Sequence, residues 1–333
     1  MNESSAPPLS TLRVAVVGLG SIGCRHLKNL ERLGVERLTV VRRVTGANPA
    51  FQPPPGATVV HSMADALARG LDAAIICNPT SVHVSTAIEC MAAGVAVLVE
   101  KPISHRLDEA DQLLQAAQRS GTRAGMAYVM RYHPAYRMAR DMVVSGQLGR
   151  VLYAKAWFEA YLPDWHPWED YRQGYAARRE LGGGALPTLD HEIDFLNGCF
   201  GEPQFASGWT GRSGALETDA DDWATIFVRY AGGVSASCAF SLCRRDRSRG
   251  FEIVGEQATL SFRFETGKLE LLNGGDRQTL WDGAEYDLND AYLAMLRHFL
   301  EALIDHRATP IGLEAGLQAL RVAASARPAA TSP

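Results

Sequence analysis

The chain is short of lysine, has no clustered cysteines, no long apolar run and no excess of positive charge. No stretch reaches the roughly 18 to 20 consecutive apolar residues that a helical membrane span needs, which excludes a helical membrane protein. Thirty-three Lys+Arg against 37 Asp+Glu leave a formal charge of −4 over 333 residues, so no basic field is available to collect phosphates and a nucleic-acid partner is not expected. The six cysteines, Cys24, Cys77, Cys90, Cys199, Cys238 and Cys243, include no CxxC pair and no histidine at zinc-finger spacing. Neither a disulfide framework nor a metal site is therefore read. The first ten residues, MNESSAPPLS, lack the basic start and apolar stretch of a secretory signal, and a cytoplasmic protein is the expectation.

What is present suits a soluble protein of two domains, with 47% hydrophobic and 21% charged residues. Between residues 11 and 126 short apolar strands (Arg13–Val17, Arg37–Val41, Ala57–Val60, Ala73–Cys77, Ala96–Val99, Arg123–Met126) alternate with helical periodicities such as Ile22–Leu33 and Val82–Ala93. That alternation is the signature of βαβ units and a doubly wound parallel sheet. After a helix near Pro134–Ser145, residues 127–326 turn to extended runs rich in β-branched and aromatic residues. These are Val151–Tyr161, Gln204–Thr210, Trp223–Tyr230, Val234–Leu242, Phe251–Val254, Thr259–Phe264 and Lys268–Leu272, with turns at Ala231-Gly232-Gly233 and Asn273-Gly274-Gly275. Helices follow at Tyr286–His306 and Gly312–Ala324. The expected fold class is α/β: a Rossmann domain over 11–126 and an α+β domain with a large, mostly antiparallel sheet over 127–326. Residues 1–10 and 327–333 are read as flexible tails.

Gly18-Leu19-Gly20-Ser21-Ile22-Gly23 follows the first strand and opens a helix. In that context each glycine has a reason: Gly18 for the tight turn, Gly20 for close backbone approach to a pyrophosphate, Gly23 for helix-on-strand packing. The helix N-terminus offers free N–H groups to the anion. At the end of the second strand a carboxylate normally accepts the adenosine ribose hydroxyls, and here the residues are Arg42 and Arg43. Paired guanidinium groups suit the 2′-phosphate of NADP, and an arginine can equally lie on the adenine face. NADP is slightly favoured over NAD.

Glu100-Lys101-Pro102 lies just past the strand Val95–Val99, at the carboxyl edge where open α/β sheets bind ligands. Only four residues of the chain are lysines, Lys28, Lys101, Lys155 and Lys268. A lysine here is informative, because an ammonium can surrender its proton and a guanidinium cannot. Further on, Gly182-Gly183-Gly184 precedes a helical pattern that sets His191 and Asp194 three residues apart on one face, so that the carboxylate orients the imidazole. The segment Tyr161–Arg172, with Trp165, His166, Trp168 and Tyr171, mixes aromatic rings and hydrogen-bonding groups as a sugar site does. The run Arg244-Arg245-Asp246-Arg247-Ser248-Arg249 reads first as a solvated turn, with contact to a substrate phosphate as the alternative.

Taken together these stretches resemble the Gfo/Idh/MocA oxidoreductases: GLGSIG, Asn78-Pro79-Thr80 with His83, Glu100-Lys101-Pro102, Arg131-Tyr132-His133-Pro134, the GGGAL…HEID segment and the helix Tyr292–Leu303. The resemblance implies a two-domain NAD(P)-dependent enzyme in which Lys101 and His191 flank the reacting carbon. By the same resemblance Cys77, Asn78, Pro79, Thr80, His83, Glu100 and Arg131 line the cofactor. Tyr128, His133, Trp165, His166, Tyr171, Thr188 and Asp190 accompany His191 at the substrate. One departure stands out, since the family's aspartate three or four residues before the histidine is replaced here by Pro187 or Thr188, and Asp190 is rotated about 100° away on a helix. Either Thr188 and Asp194 orient His191, or Lys101 and His191 divide the proton work differently. The expected activity is interconversion of a ring CH–OH and a ketone in a sugar, amino sugar, cyclitol or sugar unit of a secondary metabolite. Open alternatives are a non-sugar ketone or diol substrate and a dinucleotide-sensing regulator. A homodimer or homotetramer through the C-terminal sheet is expected, because Trp223, Thr225, Phe227 and Arg229 alternate and leave one face to bury.

Overall fold

A computed structural model describes residues 8–42, 52–165 and 169–328. It contains two compact units, one of residues 1–129 with 289–317 and one of residues 130–288 with 318–333. Residues 289–317, placed in the second domain by the sequence reading, group with the first.

In the first unit, β1 (Arg13–Val17), β2 (Arg37–Val41), β3 (Thr58–Val60), β4 (Ala73–Ile76), β5 (Ala96–Val99) and β6 (Ala124–Met126) form one six-stranded sheet. The order is β3-β2-β1-β4-β5-β6 and every pairing is parallel. β4 and β5 are buried at every residue, and β1 at all but its first, as strands covered on both faces must be. Helices α1 (Ser21–Arg32), α2 (Met63–Leu67), α3 (His83–Ala92) and α4 (Leu107–Ser120) make the crossovers. α4 begins with Asp108 and Glu109 against its positive end and stops at Gly121, whose φ of +64° supplies the left-handed cap. The strand order reverses between β1 and β4, and that switch point is where a doubly wound sheet opens its ligand crevice.

The second unit opens with α5 (Pro134–Val144) and β7 (Val151–Tyr161), then α6 (Ala185–Leu189) and α7 (His191–Phe200). The strands β8 (Pro203–Gly211), β9 (Trp223–Tyr230), β10 (Ser235–Ser241), β11 (Cys243–Gly255), β12 (Thr259–Arg263), β13 (Lys268–Asn273) and β14 (Asp276–Asp282) follow. α8 (Leu288–Ile304) belongs almost wholly to the first unit and α9 (Leu313–Ala323) runs from the first into the second, ahead of β15 (Ala326–Pro328). The sheet order is β14-β13-β12-β11-β7-β10-β9-β8-β15, antiparallel except for the β10–β7 and β15–β8 pairs. β15 incorporates residues 327 and 328, which the sequence reading assigned to a tail. Alternation along β7 buries Ala154, Ala156, Phe158 and Ala160 on one face. The opposite face carries Tyr153, Phe205, Trp209 and Phe227, all between 45% and 62% exposed.

Two further strand assignments differ from expectation. Asp276–Asp282 pairs with β13 through a two-residue turn in which Gly274 and Gly275 both have positive φ, 57° and 105°; the turn was expected, and the polar strand behind it lacked an apolar alternation to announce it. The arginine run 244–249 is not a turn but the first half of β11, which continues to Gly255.

Candidate active site

In the first unit the β1–α1 turn is built to leave no room for side chains where the chain passes β4. Gly18 sits at φ +96°, and a Cβ there would lie 2.6 to 2.7 Å from backbone atoms of Cys77 and Asn78. A Cβ on Gly23 would fall 2.0 Å from the Gly18 carbonyl oxygen. A Cβ on Gly20, by contrast, would meet nothing within 4 Å, so this glycine faces open space at the start of α1, flanked by half-buried Leu19 and Ile22 and exposed Ser21. Gly20 is the N-cap of α1 and no side chain caps the helix. Uncapped N–H groups, the positive end of the helix dipole and a bare approach form an anion cradle that fits a dinucleotide pyrophosphate.

Arg42 follows β2 at the neighbouring edge, its N–H donating to Val60 O at 3.1 Å and its carbonyl 2.9 Å from His61 Nδ1. Arg43 lies outside the described residues. On the other side of the switch point, Asn78 Nδ2 donates to Thr86 Oγ1 at 2.9 Å, and Thr80 is buried beyond Pro79. His83 is buried with its ring between two carbonyls, Nε2 2.8 Å from Asn78 O and Nδ1 2.9 Å from Pro102 O. It therefore ties the loop after β4 to the loop after β5, and burial pulls its proton affinity down despite both carbonyls. Cys77 is buried, and burial pushes its thiol well above the ordinary range, so it is a packing residue rather than a nucleophile.

Glu100, at the end of β5, is buried and engaged at both oxygens. Oε1 lies 2.7 Å from His26 Nε2, and Oε2 accepts from the Lys101 N–H at 3.2 Å. His26, wholly buried in α1 with its ring edge-on to Tyr292 at 5.8 Å, was not anticipated. Its only signal in the sequence is a polar residue on the helix face that also carries Leu27 and Leu30. The pair joins the helix carrying the glycine turn to the strand carrying Lys101, which stands half-buried at the carboxyl edge. Tyr128, expected at the substrate, is fully buried in the core. Its backbone sits only two residues past β6, where the chain is still passing through the packed interior.

In the second unit the segment around His191 is held by two arginines. α6 ends at Leu189, Asp190 is the junction, and His191 opens α7. Thr188, Asp190 and His191 are each 8% exposed or less. Asp194, expected to orient His191, instead receives a fork from Arg131, with Nη2 to Oδ1 at 2.6 Å and Nε to Oδ2 at 2.9 Å. Two charge-assisted bonds to a buried carboxylate outcompete an imidazole three residues away. Arg131, expected at the cofactor, thus makes an ion pair with the first turn of α7. The neighbouring Glu192, fully buried, accepts from Arg249 Nε at 2.7 Å and Tyr136 OH at 3.1 Å. Burial pushes its carboxyl up while Arg249 and Tyr136 oppose that. Both carboxylates of the first turn of α7 are therefore clamped, which sets the rotation of the helix that presents His191. Glu192, Tyr136 and Arg249 were missed, because nothing local couples residues 56 and 57 positions apart.

His133, expected at the substrate, is buried among Tyr136, Phe262, Phe264, Trp281 and Tyr286, whose ring centroids lie 5.0 to 5.4 Å from its own. Burial lowers its pKa to about 3, so it is neutral throughout the physiological range. It borders a cavity of about 230 Å³ with Phe262, Trp281 and Tyr286. Trp165 lies nearly parallel to Phe158, centroids 6.0 Å apart and planes at 21°. Tyr171 OH accepts from the Glu217 N–H at 3.1 Å. His166 lies outside the described residues.

Residues 12–128 match the family model described as "Oxidoreductase family, NAD-binding Rossmann fold", and residues 136–261 match that of the "GFO/IDH/MocA C-terminal domain". Inositol 2-dehydrogenase 2 of Paenarthrobacter aurescens (strain TC1) is 24% identical over 335 residues, covering 94% of each chain. The 4-carboxy-2-hydroxymuconate-6-semialdehyde dehydrogenase of Sphingobium sp. (strain NBRC 103272 / SYK-6) is 32% identical over 142 residues, 41% of this chain and 44% of that one. The chain spans about half the length of the first curated relatives it matches. Among solved structures, GenD2 from gentamicin A biosynthesis in complex with NAD superposes with a TM-score of 0.80 at 23% identity, covering 95% of this chain and 93% of that one.

Proposed function

The chain belongs to the Gfo/Idh/MocA oxidoreductase family, and from that premise we propose that it is an NAD(P)-dependent dehydrogenase or reductase of a ring CH–OH/ketone pair in a sugar, amino sugar or cyclitol. The observation that carries the reading is the β1–α1 turn, where Gly18 and Gly23 admit no Cβ while Gly20 opens on free space. Gly18–Gly23 hold the pyrophosphate, and Asn78, Pro79, Thr80 and Glu100 shape the edge beside it. A bound nicotinamide dinucleotide supplies the hydride acceptor or donor. The chain's own residues do the rest: Lys101 Nζ and His191 handle the hydroxyl proton, the Arg131–Asp194 and Arg249–Glu192 pairs fix the helix that carries His191, and Trp165 offers a ring face. The arginine at the end of β2 supports NADP over NAD, by charge-assisted contact to a 2′-phosphate.

The reading includes a cytoplasmic setting, supported by six cysteines that are all free. Among the described residues no helix is long and apolar enough to cross a membrane. The exposed face with Tyr153, Phe205, Trp209 and Phe227 is assigned to a second copy of the chain, since isolated proteins rarely leave such a contiguous apolar surface in water.

The test is turnover. Purified protein with NAD⁺ or NADP⁺ is offered sugars, polyols, aminoglycosides and nucleotide-linked sugars, with the non-sugar diols and aldehydes suggested by the relatives, and absorbance at 340 nm is followed. On the substrate found, Lys101→Ala and His191→Ala are each expected to lower kcat by about 10² to 10⁴-fold. Unchanged turnover in both variants would overturn the assignment of the proton-handling residues.

A further inference from the structure

The first half of β11 sets four arginines within six residues, and the structure treats them differently. Arg244 is paired with Glu159 and Arg249 with Glu192. Arg245 stacks on Tyr161 at 4.3 Å and donates to its hydroxyl at 3.3 Å. Arg247 lies with its guanidinium carbon 5.4 Å from the centroid of Phe158, and among the described residues it has no hydrogen-bond or ion-pair partner. Arg249 approaches the same Phe158 ring at 4.4 Å, so two guanidinium groups share one aromatic ring. The nearby carboxylates are already spent on the second of them, Glu192 through Arg249 Nε and Glu265 through the Arg249 N–H. Burial of its stem and the charge of Arg249 weaken the hold of Arg247 on its proton, against the opposing charges of Glu265 and Glu192, while the residue as a whole is exposed to solvent.

A register shift between Cys243 and Ser248 frees residues 244–247 from regular pairing with β7, which lets Arg247 turn onto Phe158. Trp165 also stacks on Phe158. An exposed guanidinium with no protein hydrogen-bond partner among the described residues, on the same aromatic residue as a tryptophan face, is a recognition element for an oxyanion attached to a ring.

We propose that Arg247 binds an anionic group, a phosphate or a carboxylate, on the substrate, with Trp165 carrying the adjoining ring. This rests on the oxidoreductase reading for the identity of the ligand as substrate, though not for the binding of the anion. The substrate class is thereby narrowed from neutral sugars and cyclitols to phosphorylated, nucleotide-linked or uronic acid derivatives.

The experiment compares wild type, Arg247→Met and Arg247→Lys. Uridine diphosphate, glucose 6-phosphate and glucuronate are titrated calorimetrically as binding probes against glucose and myo-inositol, and kcat/KM is measured for whichever compounds turn over. We expect the anionic probes to bind and the neutral ones to bind at least ten-fold more weakly. Arg247→Met is expected to weaken the anions roughly 10- to 100-fold, as the loss of hydrogen bonds to a charged group does, chiefly in KM, and to leave neutral compounds unchanged. Arg247→Lys recovers part of the loss, since an ammonium keeps the charge without the fork. Preference for uridine diphosphate and glucose 6-phosphate identifies a phosphate ligand, and preference for glucuronate a carboxylate. Anion binding that depends on Arg247 without any turnover sustains the site and removes the oxidoreductase reading. Turnover of neutral substrates with Arg247→Met silent, equal loss on neutral and anionic compounds, or no anion binding at all, overturns the site. Circular dichroism of both variants checks that the fold is intact, and Arg247→Lys keeps the test valid should the methionine variant misfold.

Discussion

Replacing Arg249 by methionine leaves the carboxyl of Glu192 in the interior with Tyr136 OH as its remaining donor of those described above. Glu192 is 0% exposed and the Arg249 side chain 4%, so neither solvent nor screening softens the loss. Breaking a buried pair by removing one partner costs about 3 to 5 kcal/mol. The size can also be worked from protonation. A glutamic acid with an ordinary pKa near 4.3 that is forced to be neutral at pH 7 costs about 1.36 × 2.7, or roughly 3.7 kcal/mol, and only about 1 kcal/mol at pH 5. The sign follows from the direction of the shift. In the variant the folded-state affinity of Glu192 for a proton lies above its unfolded value, so the fold keeps its stability at low pH and loses it as pH rises. Burial already raises Glu192 in the wild type, so the wild type carries part of this slope, and the deficit relative to it should grow toward pH 8 by the further rise that loss of Arg249 produces. All six tryptophans fall within residues 130–288, so urea unfolding followed by tryptophan fluorescence reports on the second unit alone. A deficit below about 1 kcal/mol at pH 7, or one that is flat in pH, refutes the clamp. The double variant Glu192→Gln with Arg249→Met should lose the pH dependence.

His133 carries the opposite linkage. Its folded pKa of about 3 lies below the ordinary 6.5, so wild-type stability is full above pH 6.5 and falls as pH drops below it, by about 2 kcal/mol at pH 5. His133→Phe, which also removes a buried Nδ1 that has no hydrogen-bond partner among the described residues, should abolish that slope in urea unfolding. Gly23→Ala places a Cβ 2.0 Å from the Gly18 oxygen and is expected to weaken NADH binding more than ten-fold by fluorescence titration; wild-type affinity in this variant would remove the turn from the cofactor site. Arg42→Asp should shift the NADPH-to-NADH affinity ratio at least ten-fold toward NADH, and an unchanged ratio would show that Arg42 does not meet a 2′-phosphate.

The parallel sheet, the glycine turn and the position of Lys101 were legible in the sequence because their signals are local. Strand and helix periodicity, a GxGxxG with strand before and helix after, and a lysine directly behind an apolar strand all sit within a few residues of what they specify. The pairing of charges was not legible in that way. Asp194 is three residues from His191, yet it belongs to Arg131, 63 positions away. Glu192 belongs to Arg249, 57 positions away. The run Arg244–Arg249 looks like a solvated turn by composition, and it becomes a strand because aromatic rings and two carboxylates from distant elements receive its guanidinium groups. His133 and Tyr128 look like substrate contacts beside a motif, and the fold buries both side chains. Backbone periodicity is written residue by residue and so is settled by the sequence itself. Which buried charge finds which partner depends on the packing of elements far apart in the chain, and in a low-dielectric interior only the tertiary structure decides it.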